Sequence, residues 1–238
     1  MGLWILATLS AFYVKGLCGF ANTLVFTSIL SFGNSNVNIS PVELILGYPT
    51  NAIIAYKERK SINIKLCLLL TSLMLVGSVP GMLMLKNADS NLIKAVFGVV
   101  TVLLGVEMLL RECWKMRIQL PRWGIGVVGV LSGLLCGLYG VGALLGAYVS
   151  RVAKDMHAFK ANLCAVFFAE NTLRIALYTA MGILNKQIFL SALSLSPLML
   201  LALYTGMRSA NHLNERQARR LVIVLLIVSG AALVIKTL

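Results

Sequence analysis

The sequence predicts an all-α, polytopic membrane protein built from two inverted repeats, each a re-entrant helical hairpin followed by three transmembrane helices. Three observations predict this fold. The 238-residue chain is 59% hydrophobic and only 12% charged, whereas a soluble domain has about 25% charged residues. Its apolar segments are long enough to cross a bilayer, and its basic residues lie mainly on one side of those segments.

Six segments are predicted to be transmembrane helices. About 20 apolar residues are needed to cross a hydrocarbon core of about 30 Å, and residues 66–85 and 188–207 contain no charge at all. The other four segments carry one to three charges or are slightly short. The six predicted spans are 39–56, 66–85, 92–110, 161–181, 188–207 and 217–236.

Two further apolar segments are too long for a simple span. Residues 3–31 are uncharged except for Lys15 near the middle, and residues 123–150 are uncharged and contain eight glycines. As straight helices, these segments would be roughly 42 Å long, which exceeds the hydrocarbon thickness. We therefore predict that each is a re-entrant hairpin with a glycine-rich tip near the membrane centre, at 16–22 and 137–142.

The distribution of Lys and Arg favours the hairpins over eight full crossings. With two hairpins, one face carries fifteen basic residues and the other carries four, as the positive-inside rule expects; with eight crossings the two faces are nearly equal. Both termini are then predicted to lie outside. The basic face contains Lys57, Arg59, Lys60, Lys65, Arg111, Lys115, Arg117, Arg122, Arg151, Lys154, Lys160, Arg208, Arg216, Arg219 and Arg220, and the other face Lys86, Lys94, Lys186 and Lys236.

Short matches between the two halves predict an internal repeat. Residues 15–19 align with 136–140, and Asn51 aligns with Asn171, at offsets of 120 to 125 residues that also pair Gly81 with Gly206 and Gly105 with Gly230. The predicted repeats are 1–112 and 123–238, joined by a cytoplasmic linker at 113–122. Because three spans follow each hairpin, the second repeat is inverted, an architecture found in secondary transporters.

The two tips are the predicted substrate site. The second arm of each hairpin begins at its tip, so two helix N-termini with free N–H groups would meet at the membrane centre and favour an anion. Lys15 is an ionisable residue at that depth, which makes it a functional candidate. The residues predicted to bind substrate are Lys15, Gly16, Gly19, Ala21, Asn22, Asn51, Gly137, Tyr139, Gly140, Gly142, Asn171 and Arg174.

Several of these residues also have a purely structural interpretation. Glu170 and Arg174 lie four residues apart on one helix face and could neutralise each other. The two asparagines could simply join helices, and glycines allow close helix packing. Glu107 and Glu170 are candidates for proton coupling, whereas Glu43 is interpreted mainly as a partner of its helix N-terminus.

The sequence favours a transporter over an enzyme. It contains no catalytic triad, HExxH or GxxxxGK[ST] pattern, and its five cysteines are scattered without the spacing of a metal site or a disulfide framework. No cofactor and no nucleic-acid partner are predicted, since the basic residues lie next to the lipid headgroups.

Motifs in both halves resemble those of the sulfite exporter TauE/SafE family of permeases. They comprise 132–142, Asp155, 159–161, Asn171, Arg174, Tyr178 and Gly182 in the second half, and 16–20 with 48–51 in the first. The first tip carries Ala21 and Asn22 where this family commonly has more glycine. The resemblance implies a permease for sulfite or small organosulfonates that is driven by an ion gradient.

The leading hypothesis is a secondary transporter of small anions in the cell membrane, acting as a monomer or homodimer with possible H⁺ or Na⁺ coupling. Two alternatives stay open. An anion channel would use the same site without coupling, and a membrane assembly partner would use the polar residues only to join helices.

Overall fold

The structure is a computed structural model of the chain. It describes residues 2–30, 36–87, 122–140 and 142–210, together with isolated helical positions between 98 and 110 and between 220 and 234. The predicted spans at 92–110 and 217–236 and the linker at 113–122 lie largely outside the described residues. Within the described ranges the chain is helical apart from short connections.

Eight α-helices are defined in the described part of the chain. A short 3₁₀ turn, Arg59–Ser61, follows the third helix, and Asp155 and Asn185 cap the N-termini of the last two by accepting hydrogen bonds from Ala158 and Ile188. The helices are α1 (Gly2–Cys18), α2 (Asn22–Leu30), α3 (Asn36–Lys57), α4 (Ile64–Asn87), α5 (Arg122–Tyr139), α6 (Ala143–Val152), α7 (Met156–Ala180) and α8 (Lys186–Ser209).

Each of the two long apolar segments forms a pair of helices rather than one straight helix. The first is interrupted between α1 and α2, where Gly19 and Ala21 have φ angles of 83° and 71°. The second is interrupted between α5 and α6, where Gly140 has a φ angle of 74°. Because a left-handed backbone ends a right-handed helix, the helices stop at these residues. Both interruptions fall within the predicted tips.

Among the described residues, two helices are long and apolar enough to cross a membrane: residues 64–84 of α4 and the whole of α8. Large apolar side chains on both are exposed, including Leu68 and Val76 on α4 and Phe189 and Leu201 on α8. Exposed apolar surface of this extent is typical of a protein that contacts lipid. α1 and the central part of α5 are apolar but shorter.

The buried side chains form two main clusters that share the same organisation. One cluster joins the helix pair α1–α2 to α3 and α8, and the other joins the helix pair α5–α6 to α7 and α4. α1 packs along α8, α5 packs along α4, and α3 packs against α7. Each helix pair therefore packs against a long helix from the other half of the chain.

Glycine pairs allow the hairpin helices to approach these long helices closely. A Cβ atom on Gly16 would lie 2.6 Å from the Leu203 carbonyl oxygen, and one on Gly206 would lie 3.1 Å from the Gly16 Cα atom. In the other half, a Cβ atom on Gly137 would overlap the Ser78 carbonyl oxygen, and one on Gly81 would lie 3.2 Å from the Gly137 Cα atom. Such backbone contact between helices requires the absence of a side chain.

Substituting Gly137 should destabilise the protein. We expect Gly137→Ala to lower the free energy of unfolding by about 1–3 kcal/mol, because its methyl group would meet the α4 backbone, which cannot move alone. Gly126→Ala in the same helix is the matched control, since a Cβ atom there has no neighbour within 4 Å; it should be neutral or stabilising. The thermal midpoint in detergent measures the stability of both variants. Equal midpoints for Gly137→Ala and Gly126→Ala would contradict the expected close packing.

The end of α3 and the start of α7 lie side by side. His157 Nδ1 lies 2.8 Å from Glu58 Oε2. Asn162 Oδ1 accepts a hydrogen bond of 2.7 Å from the Asn63 backbone N–H. The connection after α3 is therefore at the same end of the helix bundle as the connection between α6 and α7.

Candidate functional site

A small cavity of about 30 Å³ lies between the two interruptions. Seven of the twelve residues predicted to bind substrate contribute to its wall. The lining residues are Lys15, Phe20, Ala21, Asn22, Thr23, Leu24, Glu43, Asn51, Cys136, Gly140, Gly142, Phe167 and Asn171.

Lys15 provides the positive charge of the cavity wall. It occupies the last turn of α1 and is only 1% exposed. Its Nζ donates a 2.7 Å hydrogen bond to Asn51 Oδ1 on α3. Among the described residues, no carboxylate lies within ion-pair distance of Lys15, so a buried cation is bonded to a neutral partner only.

The two predicted asparagines line the cavity together. Because a lysine can only donate, the Asn51 atom that faces Lys15 must be the oxygen, which leaves the Asn51 NH₂ group as a donor. Asn171 on α7 also lines the cavity, and its amide has no hydrogen-bond partner among the described residues. Both amides are therefore free to donate to a ligand.

The helix N-termini of α2 and α6 also border the cavity. Asn22 begins α2 and Gly142 precedes α6, and both residues line the wall. The first-turn N–H groups of a helix have no acceptor within the helix and carry a partial positive charge. Together with Lys15 and the two amides, they form a set of donors that can bind an oxyanion.

Glu43 lies in the cavity wall, two turns inside α3, and not at a helix N-terminus. Its Oε1 accepts hydrogen bonds from the Asn22 side-chain NH₂ and, at 2.8 Å, from the Thr23 hydroxyl. Its Oε2 lies 3.6 Å from Arg174 Nη2. The interpretation of Glu43 as a partner of its own helix N-terminus is therefore wrong, because the side chain reaches across to α2 and α7.

Arg174 lies behind the cavity wall and connects it to the second tip. Its Nη1 donates a 2.8 Å hydrogen bond to the Cys136 carbonyl oxygen, near the end of α5. The same carbonyl accepts from the Gly140 N–H at 2.7 Å. A cation at a helix C-terminus interacts favourably with its free carbonyls. Arg174 is 1% exposed and does not line the cavity.

Arg174 interacts electrostatically with Glu170, as the sequence suggested, but its contact ion pair is formed with another carboxylate. Glu170, one turn earlier on α7, is fully buried. Within the described residues, however, the carboxylate within 4.0 Å of Arg174 belongs to Glu43. The packing of α3 against α7 thus supplies a partner from another helix.

Three predicted glycines lie outside the cavity wall. Gly16 and Gly137 lie at the helix crossings with α8 and α4, and the aliphatic stem of Lys160 covers Gly19. These positions serve close packing, the structural interpretation given above. Glu107 and the Tyr139 side chain lie outside the described part of the structure.

Several lining residues were not predicted as site residues. Cys136 is the aligned position of Lys15, and Phe20 lies within the first predicted tip, so both carried a signal in the sequence. Thr23 directly follows that tip. Leu24 and Phe167 supply apolar walls, and nothing in the sequence separates them from ordinary core residues.

Ala21 is the one described non-glycine residue with a left-handed backbone. We expect Ala21→Gly to stabilise the protein by up to about 1 kcal/mol. The left-handed conformation costs an L-residue about 1–2 kcal/mol, but glycine also increases the conformational entropy of the unfolded chain, which offsets part of the stabilisation. Ala11→Gly inside α1 is the control and should destabilise by about 1 kcal/mol. The thermal midpoints of the two variants and the wild-type protein measure these changes in stability. A destabilised Ala21→Gly variant would show that the backbone at this position is not strained.

The described residues contain no group of three His, Cys, Asp or Glu side chains placed to hold a metal ion. An all-helical chain with long lipid-exposed apolar helices, two interrupted segments and a polar cavity between them belongs to the class of helical membrane permeases. The family model "Sulfite exporter TauE/SafE" matches residues 4–233. The chain therefore belongs to the TauE/SafE sulfite exporter family of membrane transport proteins. No curated protein and no solved structure matches the chain.

Proposed function

We propose that the protein is a secondary transporter that carries a small anion, sulfite or a small organosulfonate, across the cell membrane by alternating access around the central cavity. The observation that carries this proposal is Lys15. It is buried in the cavity wall, its bond goes to the neutral Asn51 amide, and no described carboxylate pairs with it. A buried charge without a charged partner is costly, and a bound anion would compensate it.

The chemistry of the remaining wall supports an anion over a cation or a neutral solute. The Asn51 and Asn171 amides and the N-termini of α2 and α6 add donors around Lys15. The cavity volume of about 30 Å³ fits a compact group of few atoms and excludes a large organic molecule in this conformation. The family adds the expectation of a sulfur oxyanion.

Alternating access requires two units that move against each other, and we propose that these are the inverted repeats 1–112 and 123–238. The helix packing supports the relation between the two repeats. Gly16 meets Gly206, and Gly137 meets Gly81. Gly16 aligns with Gly137 and Gly81 aligns with Gly206, so the two contacts are equivalent and each joins one repeat to the other. The central site then lies between the repeats, as in other inverted-repeat transporters.

The proposed topology puts both termini outside and the basic connections in the cytoplasm. The contact between Glu58 and His157 supports it, because two hairpins put these connections on one side and eight full crossings put them on opposite sides. In a cysteine-depleted background, we expect Lys60→Cys and Lys154→Cys to be labelled from the cytoplasm and Lys186→Cys from the outside. Labelling of Lys60→Cys and Lys154→Cys from opposite faces would refute the hairpin topology.

The ligand itself can be found by thermal stabilisation of the purified protein. A ligand present at about 100 times its Kd should stabilise by about 2.7 kcal/mol. The probes are sulfite, sulfate, thiosulfate, methanesulfonate, acetate, Na⁺ and sucrose. Stabilisation by sulfur oxyanions or sulfonates is the expected result, and stabilisation only by Na⁺ or sucrose would contradict the anion site.

Flux into proteoliposomes separates transport from the other hypotheses. A coupled transporter should give anion uptake that depends on a pH or Na⁺ gradient, whereas a channel should give conductance without such dependence. Glu170, buried behind Arg174, is our candidate for proton coupling. A protein that binds no anion and carries no flux would instead act as an assembly partner.

A further inference from the structure

The cavity wall contains a negative charge as well as a positive one. Among the described lining residues, Lys15 bears an amine and Glu43 a carboxyl group, and they are 1% and 3% exposed. A carboxylate beside an anion site is unexpected, because it repels the ligand that Lys15 attracts. Anion binding alone therefore does not explain why Glu43 lies in this wall.

Glu43 is held firmly in this position. The Asn22 NH₂ group and the Thr23 hydroxyl both donate to Oε1, so the carboxylate is tied to the start of α2. It cannot turn away from the cavity without breaking both bonds. Because these partners are neutral, they orient the carboxylate but do not cancel its charge.

Arg174 offsets the charge of Glu43 only in part. The Nη2–Oε2 distance of 3.6 Å is longer than the 2.7–2.9 Å typical of a charge-assisted hydrogen bond. The other terminal nitrogen of Arg174 donates to the Cys136 carbonyl oxygen. Lys15 thus remains the one described side-chain cation of the wall that has no carboxylate partner.

From this arrangement we infer that Glu43 is a specificity-determining residue that restricts the site to singly charged oxyanions and rejects dianions. This inference rests on the proposed anion site and names its substrate class. A monoanion compensates the charge of Lys15. A dianion brings a second negative charge towards Glu43 in a site shielded from water, where repulsion is strong. Discrimination by a repulsive group is a general route to specificity.

Methanesulfonate and sulfate test this inference on the wild-type protein. They are tetrahedral anions of similar size, and each keeps a fixed charge, one or two, throughout the neutral range. We expect methanesulfonate to bind at least about tenfold more tightly, measured by thermal stabilisation across a concentration series and by competition for uptake into proteoliposomes. Equal binding, or tighter binding of sulfate, would overturn the inference while the anion site stands. Failure of these two anions and of sulfite to bind would overturn the proposed function itself.

The variants Glu43→Gln and Glu43→Asp assign the effect to this residue. Glutamine keeps the shape and an oxygen for Asn22 and Thr23 but removes the charge, so the preference for methanesulfonate should fall by about tenfold, mainly through tighter sulfate binding. Aspartate keeps the charge and should keep the preference. An unchanged preference in a folded Glu43→Gln variant would contradict the assignment. If that variant does not fold, the wild-type comparison of the two anions still decides the inference.

Discussion

Replacing Lys15 by methionine is expected to abolish the stabilisation of the protein by its anion and to reduce anion uptake into proteoliposomes by tenfold or more. A hydrogen bond to a charged group contributes about 1.5–3 kcal/mol, which corresponds to roughly tenfold to hundredfold in affinity. Methionine has nearly the same length as lysine and retains the packing of the apolar stem. Uptake and ligand-induced shifts in the thermal midpoint are the measurements.

The stability of the ligand-free Lys15→Met variant separates a binding role from a structural one. Removing a buried cation that has no charged partner should leave the midpoint unchanged or raise it. A purely structural lysine that joins α1 to Asn51 of α3 would instead lower it. Lys65→Met, at the exposed start of α4, is the control and should change neither property. Normal uptake by Lys15→Met would remove this residue from the site.

Replacing Arg174 by methionine is expected to destabilise the protein by about 3–5 kcal/mol. The substitution leaves the buried Glu43 carboxylate without its ion pair, and breaking a buried pair from one side has a cost of this size. It also removes the hydrogen bond to the Cys136 carbonyl oxygen. Thermal or denaturant unfolding in detergent measures the loss.

A second substitution and a control show whether the ion pair is the cause. Adding Glu43→Gln to Arg174→Met should recover part of the stability, because the unpaired charge is then gone. Arg59→Met is the matched control, since both arginines lie over a tyrosine ring but Arg59 is exposed. Its effect should be within about 0.5 kcal/mol. A double variant no more stable than Arg174→Met would show that Glu43 is not the relevant partner.

The positions of the helix interruptions and much of the candidate site could be predicted from local sequence. Two apolar segments were too long for straight helices, and their glycines marked where each would break; the structure interrupts both there. Lys15, Asn22 and Asn51 were visible because polar residues are rare in apolar segments. The family followed from the short motifs around the same tips, and the family match covers residues 4–233.

The roles of Glu43 and Arg174 could not be predicted in this way. Sequence spacing shows which residues share a helix face, so it offered Glu170 as the partner of Arg174. The carboxylate in direct contact with Arg174 is that of Glu43, which is on α3 and approaches only because α3 packs against α7. The same limit applies to Gly16 and Gly137, whose small size serves contacts with α8 and α4 and not the cavity wall.

By itself, the sequence determined that the protein is helical, belongs in a membrane, and has two interrupted segments with polar residues at their centres. These properties depend on composition, segment length and local backbone preference, which act along the chain. The tertiary structure decided which buried charges meet, which glycines contact another backbone, and which side chains enclose the cavity. Those outcomes depend on the packing of helices distant in sequence, because electrostatic and steric contacts act over a few ångströms in space and not along the chain.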